Sequence, residues 1–248
     1  MKSIVCVKRV PDTEARIRIA GDGASIDPSG VKFVLNPYDE FAVEAALRQK
    51  EGAGQGEVTV LSVGDGGSAE VLRTALAMGA DAAVLLKSAA PLEGLAVAKA
   101  LAEEIRGREY DFVFFGMKAI DDDLQAVPAM TAELLGIPVA TAVFDFEVAG
   151  GKVTAQREIE GGTEVVELKL PCALSLTKGA FEPRYASLKG IMAAKKKPLE
   201  EKAAAGDGAG TSLKLQYPPE RQAGRIVGEG PDAVPELLRL LREEARVI

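Results

Sequence analysis

Histidine is missing from the 248-residue chain. Its absence removes the commonest general base, the commonest zinc ligand and every Ser-His or Cys-His nucleophile pair. Asp, Glu, Lys and Cys remain as reactive groups, but the weight moves toward a protein that binds or carries something. Cysteine occurs twice, as Cys6 and Cys172, each in an apolar run that reads as a strand. Two such residues give neither a metal cluster nor a disulfide framework, which fits a reducing compartment. Long apolar runs are scarce as well. No stretch approaches the roughly 18 residues of a membrane span, and the apolar run in MKSIVCVKRV is too short for a signal peptide. A cytoplasmic protein is therefore expected. Positive charge is in deficit, 30 Lys and Arg against 37 Asp and Glu, so broad attraction to nucleic acid or to an anionic membrane is disfavoured.

What is present is a 47% apolar chain, enough for one sizeable core with or without a smaller appended element. The segment SIVCVKRV from Ser3 begins as a buried strand, RIRIA at 16–20 alternates like an exposed hairpin strand, and VKFVLN at 31–36 reads as another strand. Asn36-Pro37 opens a helix, with Asp39 and Glu40 near its positive end. From Glu57 the pattern is regular: strand EVTVLSVG, helix from Ser68 to Met78, strand AAVLLK, helix from Glu93 to Arg106, strand DFVFFG and a helix from about Asp123 to Leu135. Strands alternating with helices imply a doubly wound, mainly parallel sheet, and the uniformly apolar strands are those of a sheet buried on both faces. After Gly136, ATAVFDFEV, GGKVTAQREI and EVVELKLPCALSL read as strands joined by Gly-Gly turns, an antiparallel or mixed extension. Residues 1–190 are expected to form one α/β domain. Residues 191–248, with the small polar tract EEKAAAGDGAGTS and a Leu-rich final helix, are expected to form a C-terminal arm that covers its own chain or a partner.

In open parallel sheets ligands bind outside the carboxyl ends of the strands, where strand order reverses. Four segments end at such tips: Cys6-Val7-Lys8, Asn36-Pro37, Ser62-Val63-Gly64 and Phe115-Gly116-Met117. The turn Gly64–Ser68 could offer amides to a phosphate, although most such turns are only turns. Asp121, Asp122 and Asp123 admit three readings: capping of the following helix, a Mg²⁺ site, or the ordering of a loop whose backbone recognises a nucleotide. No P-loop Gly-Lys-Ser/Thr pair accompanies them, which weighs against the metal. The stretch FEPRYASLKGIMAAKKK at 181–197 reads either as a surface helix with a solvated basic end or as a docking peptide with an apolar anchor and steering lysines.

The opening VCVKRVPD, VLNPYDEFAVEAALR, RTALAMGAD at 73–81, GMKAIDDD at 116–123, QREIEGG at 156–162 and EPRYASLKGIMAAKKK at 182–197 follow one another in the order found in electron transfer flavoprotein beta subunits. The chain resembles that family over nearly its whole length. The resemblance implies an adenine-nucleotide-binding α/β domain in a heterodimer with an alpha subunit that holds the redox-active FAD. It also implies an electron carrier with no catalytic residues or metal of its own. Such a carrier takes electrons from acyl-CoA or related dehydrogenases, as in fatty acid oxidation, and passes them toward a quinone reductase. This subunit would bind AMP structurally; in electron-bifurcating relatives, which oxidise NADH, a second FAD takes that place. Carried over by position, the nucleotide site would comprise Cys6, Asn36, Pro37, Tyr38, Asp39, Val63, and the loop Gly116, Met117, Lys118, Ala119, Ile120, Asp121, Asp122, Asp123, Leu124, Gln125, Ala126 and Val127. The same resemblance makes Leu188 the anchor of a partner-recognition segment that includes Tyr185, Ile191 and Met192, and assigns Glu158 to a contact with the alpha subunit's flavin domain. Two departures stand out: Leu124–Pro128 lacks the Asn/Gln-Thr-Gly run of ordinary members, and Thr13 stands where some relatives have a tyrosine near the flavin.

Overall fold

The computed structural model describes residues 1–205, 214–220 and 223–248. The chain divides into two units, 1–213 and 214–248. The first unit begins with β1 (Lys2–Cys6), β2 (Arg9–Pro11), β3 (Phe33–Leu35) and α1 (Pro37–Gly52). There follow β4 (Glu57–Gly64), α2 (Ser68–Met78), β5 (Ala82–Lys87), α3 (Gly94–Arg106), β6 (Phe112–Gly116) and α4 (Ala126–Leu135). The unit ends with β7 (Val139–Ala149), β8 (Lys152–Ile159), β9 (Gly162–Lys169), β10 (Cys172–Leu176), α5 (Leu188–Ala194) and β11 (Leu199–Ala203).

Among the described residues, nine strands form one sheet in the order β11-β5-β4-β1-β6-β10-β7-β8-β9. From β11 to β7 every neighbour pair is parallel; β7-β8 and β8-β9 are antiparallel. The expected doubly wound, mainly parallel sheet with an antiparallel extension is the architecture found. Its strands are apolar on both sides because each feeds two cores. Val5, Val60, Leu85, Phe114 and Leu174 join the cluster that includes Ala42, Val43, Leu72 and Leu76 of α1 and α2. Ile4, Cys6, Leu61, Val84, Val113, Phe115 and Ala173 join Leu101 and Ile105 of α3 and Ala132 of α4. Alternate residues of one strand thus belong to opposite layers, the period-two rule of an extended chain. On the α1 side Phe112, Phe114, Phe146 and Phe181 stack with centroid separations of 4.9–5.9 Å.

Several elements differ from expectation. RIRIA at 16–20 forms no strand, contributing one bridge between Ile19 and Ile26. VKFVLN does supply β3, but β3 pairs with β2 in a separate two-stranded ribbon. EVVELKLPCALSL divides at Leu170-Pro171 into β9, at the antiparallel edge, and β10, inserted between β6 and β7. The helix expected from Asp123 begins at Ala126, because Asp123 takes a left-handed backbone (φ 53°) incompatible with a helix interior. The boundary expected after residue 190 falls inside α5, and β11 belongs to the sheet, paired with β5. The polar tract thus begins as an edge strand, its charged side chains guarding the edge; its residues 206–212 lie outside the described residues. The basic run is only partly a solvated end. Lys197 donates to the carbonyls of Leu76 (3.0 Å) and Ala80 (2.5 Å) at the end of α2, and burial lowers its pKa. Arg73 of α2 reciprocates on the carbonyls of Ala194 and Lys197.

In the second unit, a 3-10 turn at Pro231–Ala233 leads into α6 (Val234–Glu243). Arg239 pairs with Glu236 and Glu243, while Leu237 and Leu238 are exposed.

Candidate functional site

Strand order reverses between β1 and β6, since the chain runs outward from β1 through β4 to β5 and returns by α3 to the other flank. A cleft opens at that reversal, above the carboxyl ends of β1, β4 and β6. Cys6, Val7 and Lys8 line it from β1 and its continuation, Val63 from β4, and Phe115 and Gly116 from β6. Asn36 and Asp39 enter from the start of α1, Leu92, Gly94, Val97 and Leu101 from α3 and its approach, and Lys118, Ala119, Asp122, Leu124, Val127 and Pro128 from the loop and α4.

Pro37 can start α1 because its missing N–H costs nothing in the first helical turn. Asn36, just before it, donates from Nδ2 to the carbonyl of Lys118 (2.9 Å) and accepts from the Ile120 amide (3.2 Å). One side chain thereby fastens the β6–α4 loop at two points. Asp39 is buried, and its carboxylate accepts the amides of Lys8 (2.7 Å) and Gly116 (3.1 Å), joining the tips of β1 and β6. Burial pushes its pKa up to about 7, against the opposing hydrogen bonds from Asn36 and the Lys8 and Gly116 amides. Gly116 has to be glycine here: a Cβ would strike the Asp39 carboxylate and lie 2.8 Å from its backbone nitrogen. Burial, and then the neighbouring Asp39, raise the Cys6 thiol well above its ordinary pKa, so it meets the cleft as an apolar, unreactive group.

The three aspartates divide between two lysines. Asp121 and Asp122 both hold the Lys8 ammonium, at 2.9 and 2.8 Å. Burial works against the Lys8 charge, yet these two carboxylates keep its pKa above the ordinary value. Asp122 also accepts the Leu124 amide, and Asp123 pairs with Lys118 at 2.9 Å while its own amide donates to Ala119. None of them caps α4, whose preceding residue is Gln125 and whose first turn has no side-chain cap. Among the described residues no group of three or more acidic or cysteine side chains converges as a metal site.

Ten of the residues expected at the site line the cleft together: Cys6, Asn36, Asp39, Val63, Gly116, Lys118, Ala119, Asp122, Leu124 and Val127. The others stand around it. Pro37 starts α1, and Tyr38 lies beside the Lys118 ammonium, 5.9 Å from its ring centre. The Met117 amide donates to Leu176 of β10. Ile120 and Asp121 face a neighbouring cleft with Arg9, Thr13 and Phe33, Asp123 bends the loop, and Gln125 and Ala126 begin α4. The expected site residues left out the α3 wall and, although it was placed at the β1 tip, Lys8. Val97 and Leu101, four apart, carried a helical signal but nothing to show that their face roofs a cleft. Lys8 was visible as the residue beyond Cys6 at a strand tip. The Gly64–Ser68 turn does not line the cleft.

The expected docking residues are strongly exposed: Tyr185 98%, Leu188 82%, Met192 71% and Ile191 45%. Ser187 caps α5 by accepting the Gly190 amide, and Gly190 lets α5 approach the Ala77 carbonyl of α2. Glu158 lies on β8 opposite Thr163, on the antiparallel side of the sheet.

The architecture is that of a doubly wound α/β protein with a cleft at its strand-order reversal. The model of the electron transfer flavoprotein domain matches residues 24–207. The electron transfer flavoprotein subunit beta of Bradyrhizobium diazoefficiens is 42% identical, with all of both chains covered. That of Syntrophomonas wolfei is also 42% identical over 94% of this chain and 92% of its own, and that of Mus musculus is 39% identical over 96% of each. The chain belongs to the family of electron transfer flavoprotein beta subunits. No helix among the described residues is long and apolar enough to cross a membrane.

Proposed function

We propose that this chain is the beta subunit of a heterodimeric electron transfer flavoprotein, that it binds AMP in the cleft, and that it docks electron-donating dehydrogenases through residues 185–192. The observation that carries the reading is the coincidence of a full-length family match with a cleft at the strand-order reversal. The cleft supports a structural nucleotide over a reacting one. Its one buried carboxylate is occupied by two backbone amides, its thiol is buried, and its exposed cations are already paired with aspartates. The apolar walls, Val63, Val97, Leu101 and Phe115, suit the faces of a base, and the uncapped amides at the start of α4 suit a single phosphate. The redox-active FAD belongs, in this reading, to an alpha subunit, and electrons pass on to a quinone reductase.

The test is to co-express the chain with an alpha subunit, denature the purified complex and identify what is released. One FAD and one AMP per heterodimer is the expected result. Two FAD would replace this reading with the electron-bifurcating one, and FAD without any nucleotide in the beta chain would remove the cleft assignment.

A further inference from the structure

Residues 178–187, between β10 and α5, contain no helix or strand, yet their backbone carries the exposed Tyr185 and leads to Leu188 and Met192. Something other than a hydrogen-bonded ladder must set their course. Arg184 lies in this stretch and reaches two acids of α1. Its Nε and Nη2 meet the two oxygens of Glu44 at 2.7 and 3.1 Å, and its Nη1 and Nη2 meet the two oxygens of Glu51 at 2.6 and 2.9 Å. Arg48, also on α1, binds Glu44 at 2.7 Å and donates to the carbonyls of Ala180 (3.0 Å) and Glu182 (3.3 Å). The segment is therefore gripped by its backbone and by its one arginine, while Phe181 is buried against Phe146.

This is not an ordinary surface ion pair. The Glu44 side chain is only 3% exposed, and a buried carboxylate is costly unless fully paired. Here it accepts two guanidinium groups. Burial alone would raise its pKa, but Arg184 and Arg48 outweigh that and hold it below the usual carboxylate value. Arg184 is correspondingly held charged by Glu51 and Glu44. The planar fork of arginine meets both oxygens of each of two carboxylates; the compact ammonium of lysine cannot make both paired contacts at once.

We propose that Arg184 is a positioning residue for docking: its grip on Glu44 and Glu51 holds the backbone so that Tyr185, Leu188 and Met192 present a preformed apolar surface to a dehydrogenase. The proposal rests on the docking reading above. Holding a segment in its bound conformation removes an ordering cost from association, so loss of the grip weakens encounter without altering the electron-transfer step that follows.

The test uses the full heterodimer and an acyl-CoA dehydrogenase reduced by its acyl-CoA, with heterodimer concentration varied. Arg184→Ala should raise the KM for the heterodimer about tenfold, equivalent to about 1.4 kcal/mol, and leave kcat unchanged. Arg184→Lys should fall between, and hydrogen exchange at the residue-184 amide, which donates to Glu44, should quicken in Arg184→Ala with α1 unaltered. Arg48 still pairs Glu44 in these variants, which protects the fold. Should Arg184→Ala nevertheless fail to fold, Glu51→Gln removes the exposed half of the grip and must raise KM in the same way. An unchanged KM in the arginine variants while Leu188→Ala raises it leaves docking standing and overturns the positioning role. An unchanged KM in all of them, Leu188→Ala included, removes the docking reading and this proposal with it.

Discussion

Helix α1 carries two buried acids treated in opposite ways. Asp39, in the first turn, is satisfied by backbone amides and pays for burial with a pKa raised to about 7. Glu44, farther along, is satisfied by two arginines and is held below the ordinary value. A carboxylate among backbone donors adjoins a cleft and has no cation committed to it; a carboxylate between guanidinium groups is a structural clamp. The same helix thus supports the wall of the cleft at one point and a rigid attachment for the neighbouring segment at another.

Removing both arginines should separate the two cases most sharply. Arg48→Ala with Arg184→Ala leaves Glu44 buried without a counter-ion and should cost about 3–5 kcal/mol in urea unfolding, more than the two single variants together. Asp39→Ala should come next, at about 1–3 kcal/mol, since it deprives the Lys8 and Gly116 amides of their acceptor. The pH dependence then distinguishes the acids by sign. The raised pKa of Asp39 means that its titration contributes stability that is fully present below about pH 4 and is lost as pH rises through about 7. The deficit of Asp39→Asn relative to the parent protein should therefore shrink between pH 4.5 and 7.5. Glu44, with its lowered pKa, contributes stability above about pH 4.5 that is lost as pH falls. The deficit of Arg184→Ala should therefore grow as pH rises toward about 4.5 and level off above it. Parallel profiles for the two variants would dissolve the contrast. The smallest effect is expected from Lys8→Met: under about 1 kcal/mol in stability, because the side chain is 41% exposed.

The regular part of the fold was legible because each strand from Glu57 to Gly116 is bounded by turn residues and feeds apolar side chains to two layers. EVTVLSVG, AAVLLK and the helix Ser68–Met78 match their observed limits. Where local pattern and tertiary pairing part company, the sequence was less informative. LPCALSL follows a strand without a helix between, so its parallel place beside β6 depends on partners more than fifty residues away. RIRIA alternates as a strand should but joins no ladder among the described residues, forming an isolated bridge between Ile19 and Ile26. At the cleft, the strand tips and the aspartate loop were readable from glycine and strand endings. The α3 wall was not, because Val97 and Leu101 carry no polar signature. The pairing of Lys8 with Asp121 and Asp122, more than a hundred residues on, was hidden in the same way, as was the hold of Arg184 on α1.

β10 has a consequence for the order in which the molecule can be assembled. It is synthesised after β7, β8 and β9, yet it lies between β6 and β7 and pairs with both. Until it emerges, the antiparallel hairpins have no hydrogen-bonded seam to the parallel half, and the loop at Met117 lacks the Leu176 carbonyl that receives its amide. A nascent chain halted before residue 172 would hold two partial sheets with facing raw edges, the kind of surface that invites pairing with another chain. Every residue lining the cleft lies before 129, yet the anchor of the Met117 amide at the end of β6 depends on a strand encoded far downstream.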